Sequence, residues 1–102
     1  MKIAITSEGM QADALLDSRF GRCSAFAIYD TESRELNFVK NPNKDADEGA
    51  GPASVSLVAN LGVKRIISGE FGCKIKSMLN DLKIEMETRK ERTTIGEIVK
   101  GL

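Results

Sequence analysis

Leu61-Gly62-Val63-Lys64-Arg65-Ile66-Ile67-Ser68-Gly69 is the stretch on which the fold turns. A run rich in β-branched side chains, Val63 to Ser68, lies between two glycines and has the composition of a buried strand. On its N-terminal side Ala50, Ala53, Leu57 and Leu61 recur at helical spacing, with Val58 widening the stripe. Pro52 is expected at the first helical position, where its missing N–H has no intrahelical partner, and Gly62 is placed to end the helix in a left-handed cap. On the C-terminal side Ile75, Met78, Leu79 and Leu82 stand at i, i+3, i+4 and i+7, which predicts a second helix from about Cys73 to Leu82. Ile84 to Glu87 reads as a short strand and Thr88 to Arg92 as a charged bend. Thr94 and Glu97 have capping-box spacing ahead of a closing helix striped by Ile95, Ile98, Val99 and Leu102. Strand, helix, strand, helix, strand in this order requires parallel neighbours joined by right-handed crossovers.

Toward the N-terminus, Lys2 to Thr6 predicts a first strand buried on both faces. Ala25 to Tyr29 and Glu35 to Lys40 form an expected antiparallel hairpin across the polar turn Asp30 to Arg34. Glu8 to Arg22 has no sustained period beyond Ala12, Leu15 and Leu16, and is read as a long irregular loop with room for one helical turn. Loops of that length in compact domains are uncommon unless functional. Asn41 to Gly49 is a polar connector; its Asp45, Asp47 and Glu48 are read as a solvated face rather than a cation site. The expected architecture is one domain, residues 1–102, of the α/β class: a five-stranded mixed sheet flanked by helices.

The composition narrows the chemistry. Fifteen Lys and Arg balance 15 Asp and Glu, so the long-range field that draws proteins onto nucleic acid or anionic lipid is missing, and neither is an expected partner. There is no His, which excludes Ser-His-Asp and Cys-His catalysis and His-ligated zinc. The first residues are too short an apolar run for a signal peptide, and no stretch approaches the ~18 apolar residues of a membrane span, so a cytoplasmic location is expected. In a reducing compartment the two cysteines, Cys23 and Cys73, are not expected to form a structural disulfide.

In an open α/β sheet, ligands bind beyond the carboxyl ends of the parallel strands. Here that edge would be lined by Ser7 with its neighbours Thr6, Glu8 and Gly9, by the turn from Gly69 through Gly72 to Cys73, and by the helix start Gly49-Ala50-Gly51. Glycines let backbone N–H groups approach a ligand, and helix N-termini favour negative charge, so the expected guest is an anion. None of these turns is a complete GxGxxG or Walker A motif. Cys73 is placed in the first turn of a helix, and Cys23 follows Arg19-Phe20-Gly21-Arg22. Two cysteines do not close a tetrahedral metal site, but they suit a preformed cluster carrying its own sulfide, with Arg19 and Arg22 offsetting its charge. The competing reading of each cysteine is a small buried hydrophobe.

Met1 to Ser7, Leu16-Asp17-Ser18-Arg19-Phe20-Gly21-Arg22-Cys23, Glu48-Gly49-Ala50-Gly51, Leu61-Gly62-Val63 and Thr93-Thr94-Ile95-Gly96-Glu97 together resemble the dinitrogenase iron-molybdenum cofactor biosynthesis family, the group of NifX, NafY and the C-terminal domain of NifB. The resemblance spans essentially the whole chain. It implies a ribonuclease H-like fold and noncovalent handling of an anionic metal-sulfur cluster, either iron-sulfur or molybdenum/iron-sulfur. It carries to Arg19, Phe20, Gly21, Arg22 and Cys23, to Gly49, Ala50 and Gly51, and to the turn from Gly69 to Cys73. Members that hold the molybdenum cofactor are associated with a histidine, which this chain lacks; the implied cargo is therefore the wider class of iron-sulfur or thiometallate clusters.

Three functions compete at this point. The first is a non-enzymatic cluster carrier, a monomer or weak homodimer, working with donor and acceptor proteins. The second is a regulatory or interaction module without a cluster. The third, a metal-dependent hydrolase, would have only Glu8, Asp30 and Glu70 for its ions and ranks last.

Overall fold

The computed structural model describes all of residues 1–102. In chain order its elements are β1 (Lys2–Ser7), β2 (Ala25–Asp30), β3 (Leu36–Lys40), α1 (Ala50–Asn60), β4 (Val63–Ser68), α2 (Cys73–Asp81), β5 (Glu85–Thr88) and α3 (Ile95–Lys100). The strands form one mixed sheet in the order β3-β2-β1-β4-β5. β1 pairs antiparallel with β2 and parallel with β4; β2 and β3 form the antiparallel hairpin, and β4 and β5 are parallel. The crossover helices α1 and α2 are what parallel pairing demands.

Side-chain alternation divides the core between the two faces of this sheet. Ala4, Phe26, Ile28 and Ile66 face α1 and α2, where Val55, Val58, Ile75 and Leu79 meet them. Ile3, Ile5, Ala27 and Ile67 face the other way and are covered by Leu16 and by Ile95 and Ile98 of α3. β1 is therefore buried on both faces, as its continuous apolar run predicts. α3 is capped as the spacing predicts, the Thr94 side chain accepting from the Glu97 backbone N–H at 3.2 Å.

Two helices depart from the expected pattern in detail. α1 begins at Ala50 rather than at Pro52, because Gly49 adopts the left-handed conformation at φ 75° and turns the chain into the helix two residues earlier. Its buried face is Ala50, Ser54, Val55 and Val58, whereas Ala53 is exposed. In α2 the predicted Leu82 is 48% exposed, because the helix stops at Asp81 and Leu82 caps it pointing away from the core.

Candidate functional site

The site is built on the ends of β1 and β4. The loop from Glu8 to Ser24, without a helical turn of its own, folds back over these ends. The Asp17 N–H donates to the Thr6 carbonyl at 2.9 Å, the Thr6 hydroxyl donates to the Asp17 carbonyl at 2.7 Å, and the Gly69 N–H donates to the same carbonyl at 3.3 Å. Arg19 and Glu70 then bridge as parallel neighbours. On the far side of the loop the Ile95 and Gly96 N–H groups donate to the carbonyls of Ala14 and Ala12 at 2.9 and 2.8 Å. The loop is thus stitched to β1, to the turn after β4 and to the start of α3.

Two glycine contacts set how closely it lies. A Cβ on Gly69 would overlap the Ser18 backbone and stand 2.9 Å from the Ser18 Cβ; a Cβ on Gly21 would stand 2.9 Å from both Cα and N of Gly51. The expected convergence of the Arg19–Cys23 segment with the Gly49–Gly51 and Gly69–Gly72 turns is therefore what the structure contains. Gly51 in turn packs against Ile75, a Cβ there standing 2.6 Å from the Ile75 Cδ1, so the start of α1 lies close on α2.

The side chains along this rim divide into anchors and exposed groups. Phe20 is buried, its ring centroid 5.7 Å from that of Phe26 and 6.0 Å from that of Phe71; it holds the loop down rather than facing a ligand. The Ser7 hydroxyl is buried and donates to the Gly9 carbonyl at 2.7 Å. Arg22, expected to face the cargo, instead donates to the carbonyls of Lys44 and Ala46 at 3.2 and 2.7 Å and braces the 41–49 connector. Ala50 is buried. Arg19 remains available: its side chain is 55% exposed, and only its Nε is engaged, 3.4 Å from Asp17 Oδ1. Gly49 and Gly72 border open space.

The two cysteines part company. Cys73 is exposed in the first turn of α2. Cys23 is fully buried, its Sγ donating to the Phe20 carbonyl at 3.3 Å. Burial first, and the Asp17 carboxylate second, push the Cys23 thiol up to about 12, although a hydrogen bond from the Asn41 side chain opposes this. The expectation that both cysteines ligate a metal is corrected to this extent: as folded, Cys23 is a core thiol with its proton held and no path to a ligand.

Several rim residues carried no distinguishing sequence signal. Ser54 sits in the buried face of α1 and donates to the Gly21 carbonyl at 3.2 Å. Asn41 is buried and donates to the carbonyls of Gly21 and Cys23 at 3.1 and 3.0 Å. The charged bend after β5 closes the other end of the rim: the Arg89 N–H donates to the Ser68 carbonyl at 3.0 Å and the Lys90 ammonium to the Gly69 carbonyl at 3.2 Å. A small cavity of about 160 Å³ opens there between Ser18, Gly69 and the 89–92 segment.

Chemically, this is a rim of helix-start amides, one half-exposed guanidinium engaged only through its Nε, and one accessible thiol on an open α/β sheet. No three His, Cys, Asp or Glu side chains converge as a metal-ion site. Helix-start amides and a guanidinium are groups that favour negative charge.

A class is thereby defined: small α/β proteins whose five-stranded mixed sheet carries glycine turns and helix starts along one rim. The profile of the family described as dinitrogenase iron-molybdenum cofactor matches residues 1–102, and the chain belongs to that family. It is 33% identical over 103 residues to an uncharacterized protein of Methanocaldococcus jannaschii, covering 98% of this chain and 83% of that one. Among solved structures it is similar to the apo form of the orange protein from Desulfovibrio gigas, with 29% identity and a TM-score of 0.90 over 97% of this chain and 83% of that one. It is also similar to a Thermotoga protein provisionally named a NifB protein, with 30% identity and a TM-score of 0.84 over 98% and 84% of the two chains. These neighbours share the mixed sheet and its flanking helices. No helix is long and apolar enough to cross a membrane.

Proposed function

We propose that this protein is a non-enzymatic carrier for an anionic metal-sulfur cluster, iron-sulfur or molybdenum/iron-sulfur, receiving it from one protein and passing it to another in the cytoplasm. The whole chain, residues 1–102, acts as one unit, and its strand order suits the ribonuclease H-like label that the family resemblance carries. The observation behind this reading is the seating of the Arg19–Cys23 loop on the two glycine turns, Gly21 against Gly51 and Ser18 against Gly69, beside an exposed Cys73. Membership of a family named for the iron-molybdenum cofactor supports the cargo class.

In this reading the cluster is cargo and arrives with its own sulfide. Cys73 supplies the protein's sulfur ligand, Arg19 offsets charge, and the amides at the starts of α1 and α2 contact the cluster's anionic surface. The absence of His and the burial of Cys23 leave a single sulfur contact, which suits a cargo that must leave again.

Anaerobic reconstitution with iron, sulfide and molybdate, followed by absorption spectra and metal analysis, tests it. Wild type and Cys23→Ser take up cluster and Cys73→Ser loses it. A wild type that takes up none overturns the carrier and leaves the cluster-free interaction module, for which the unpaired edge of β3 is the docking surface.

A further inference from the structure

A second, larger cavity lies where β3 ends and the 41–49 connector begins, behind the Gly21–Cys23 segment that Asn41 holds. Its volume is about 480 Å³ and its lining is Ser24, Lys40, Asn41, Pro42, Lys44 and Asp45. No aliphatic or aromatic side chain other than Pro42 faces it, so it has little to offer an apolar ligand. Neither Lys40 nor Lys44 is within 4 Å of a carboxylate in any of the chain's ion pairs. The Ser24 hydroxyl makes no hydrogen bond inside the protein and is not a buried orphan, so it is open to a ligand.

The floor of this cavity is fixed. Asn41 is buried, its Nδ2 donating to the Gly21 and Cys23 carbonyls, its Oδ1 accepting from the Asn43 N–H at 3.0 Å and its own N–H donating to the Ser24 carbonyl at 3.0 Å. Arg22 holds the backbone of Lys44 and Ala46 from behind, so the Lys44 backbone is positioned although its side chain is exposed. The acidic side chains of this connector, Asp45, Asp47 and Glu48, are exposed as the sequence predicts, while its backbone is braced from behind, and Lys44 on it and Lys40 at the end of β3 present two ammonium groups outside any ion pair.

We propose that this cavity binds the phosphate group of a small phosphorylated, hydroxyl-bearing molecule. Two unpaired ammoniums and a hydroxyl donor match a dianion with several acceptor oxygens, and lysine serves such groups as a point charge. The volume exceeds what a bare oxyanion fills, and Asp45, the one carboxylate in the lining, accepts from a hydroxyl on the organic part. The proposal does not depend on the cluster reading, because none of the groups that would touch the phosphate is assigned to the cluster.

Titration of the ¹⁵N-labelled protein with ribose 5-phosphate, followed by two-dimensional NMR, tests the proposal, with inorganic phosphate, free ribose and sodium chloride as separate arms. Expected are saturable shifts confined to Ser24, Lys40, Asn41 and Lys44, weaker ones with inorganic phosphate and none with free ribose. The Lys40→Gln/Lys44→Gln pair weakens binding about tenfold or more, while Lys64→Gln, on the exposed side of β4, leaves it unchanged. Both substitutions fall on exposed side chains, and the spectrum itself reports that the fold is intact. Shifts that do not saturate, that sodium chloride reproduces, or that free ribose produces equally overturn it.

Discussion

Gly21 and Gly51 touch backbone to backbone: a Cβ on the first would stand 2.9 Å from the Cα and the N of the second. Neither neighbour is the flexible end of a side chain, so nothing at this contact can yield cheaply. The contact is also what brings the loop after β1 to the start of α1, and with it the Arg19–Cys23 segment to the rim.

Gly21→Ala is therefore expected to destabilise the protein by about 1 to 3 kcal/mol through overpacking, read as a lower urea midpoint at unchanged slope. Gly72→Ala is the control. Its backbone is at φ −68° with nothing within 4 Å of a new Cβ, so it should stay within about 0.5 kcal/mol of wild type. Equal losses in the two variants would show that the close approach is not what constrains the loop.

The thiols should differ in reactivity as sharply as they differ in exposure. Under native conditions a maleimide reagent is expected to modify Cys73 quickly and Cys23 only through opening of the loop, so mass spectrometry finds one adduct before two. Urea below the unfolding midpoint should speed the second adduct alone. Rapid labelling of Cys23 in the folded protein would contradict its place beneath Phe20 and Asn41.

This division of the cysteines shows where the sequence stops being legible. The strands and helices of the second half follow from local period and from glycine punctuation, and the hairpin follows from its polar turn; each is decided within a dozen residues. The location of the rim follows as well, since parallel strands announce which edge is open. What Cys23 faces is settled instead by Asn41, 18 positions away, and by the fold of a loop with no periodic signal. The same holds for Ser54, whose partner is Gly21, 33 positions back, and for Lys90, which reaches the Gly69 carbonyl across 21. Charge and the family resemblance both point Arg22 toward a cargo, but the Lys44 and Ala46 carbonyls, 22 and 24 positions away, hold its guanidinium.

Asn41 is expected to be among the costlier polar substitutions in the chain. Asn41→Ala withdraws the donor from the Cys23 carbonyl and one of two from the Gly21 carbonyl, which Ser54 continues to serve. A loss of about 1 to 3 kcal/mol follows from leaving a buried acceptor unmet. Asn41→Asp should lose more, because it keeps the size but presents acceptor to acceptor and places a charge in a dry site. A milder effect for Asp than for Ala in chemical denaturation would mean that this side chain fills space rather than satisfies the loop.

Alkaline pH should loosen the fold through Cys23. Its thiol ionises around the ordinary 9.0 in the unfolded chain and at about 12 in the folded protein, where burial and then Asp17 oppose the thiolate. Below 9.0 both states hold the proton and the group contributes no slope; between the two values the folded state binds a proton that the unfolded state has released. Stability therefore falls as pH rises across that window, by at most about 1.4 kcal/mol per pH unit from this group. Urea unfolding from pH 8 upward on wild type and Cys23→Ala measures the difference, Cys23→Ala being less stable at neutral pH but flatter in alkali. The same slope in both proteins would assign the alkaline loss to other groups and would place Cys23 in contact with water.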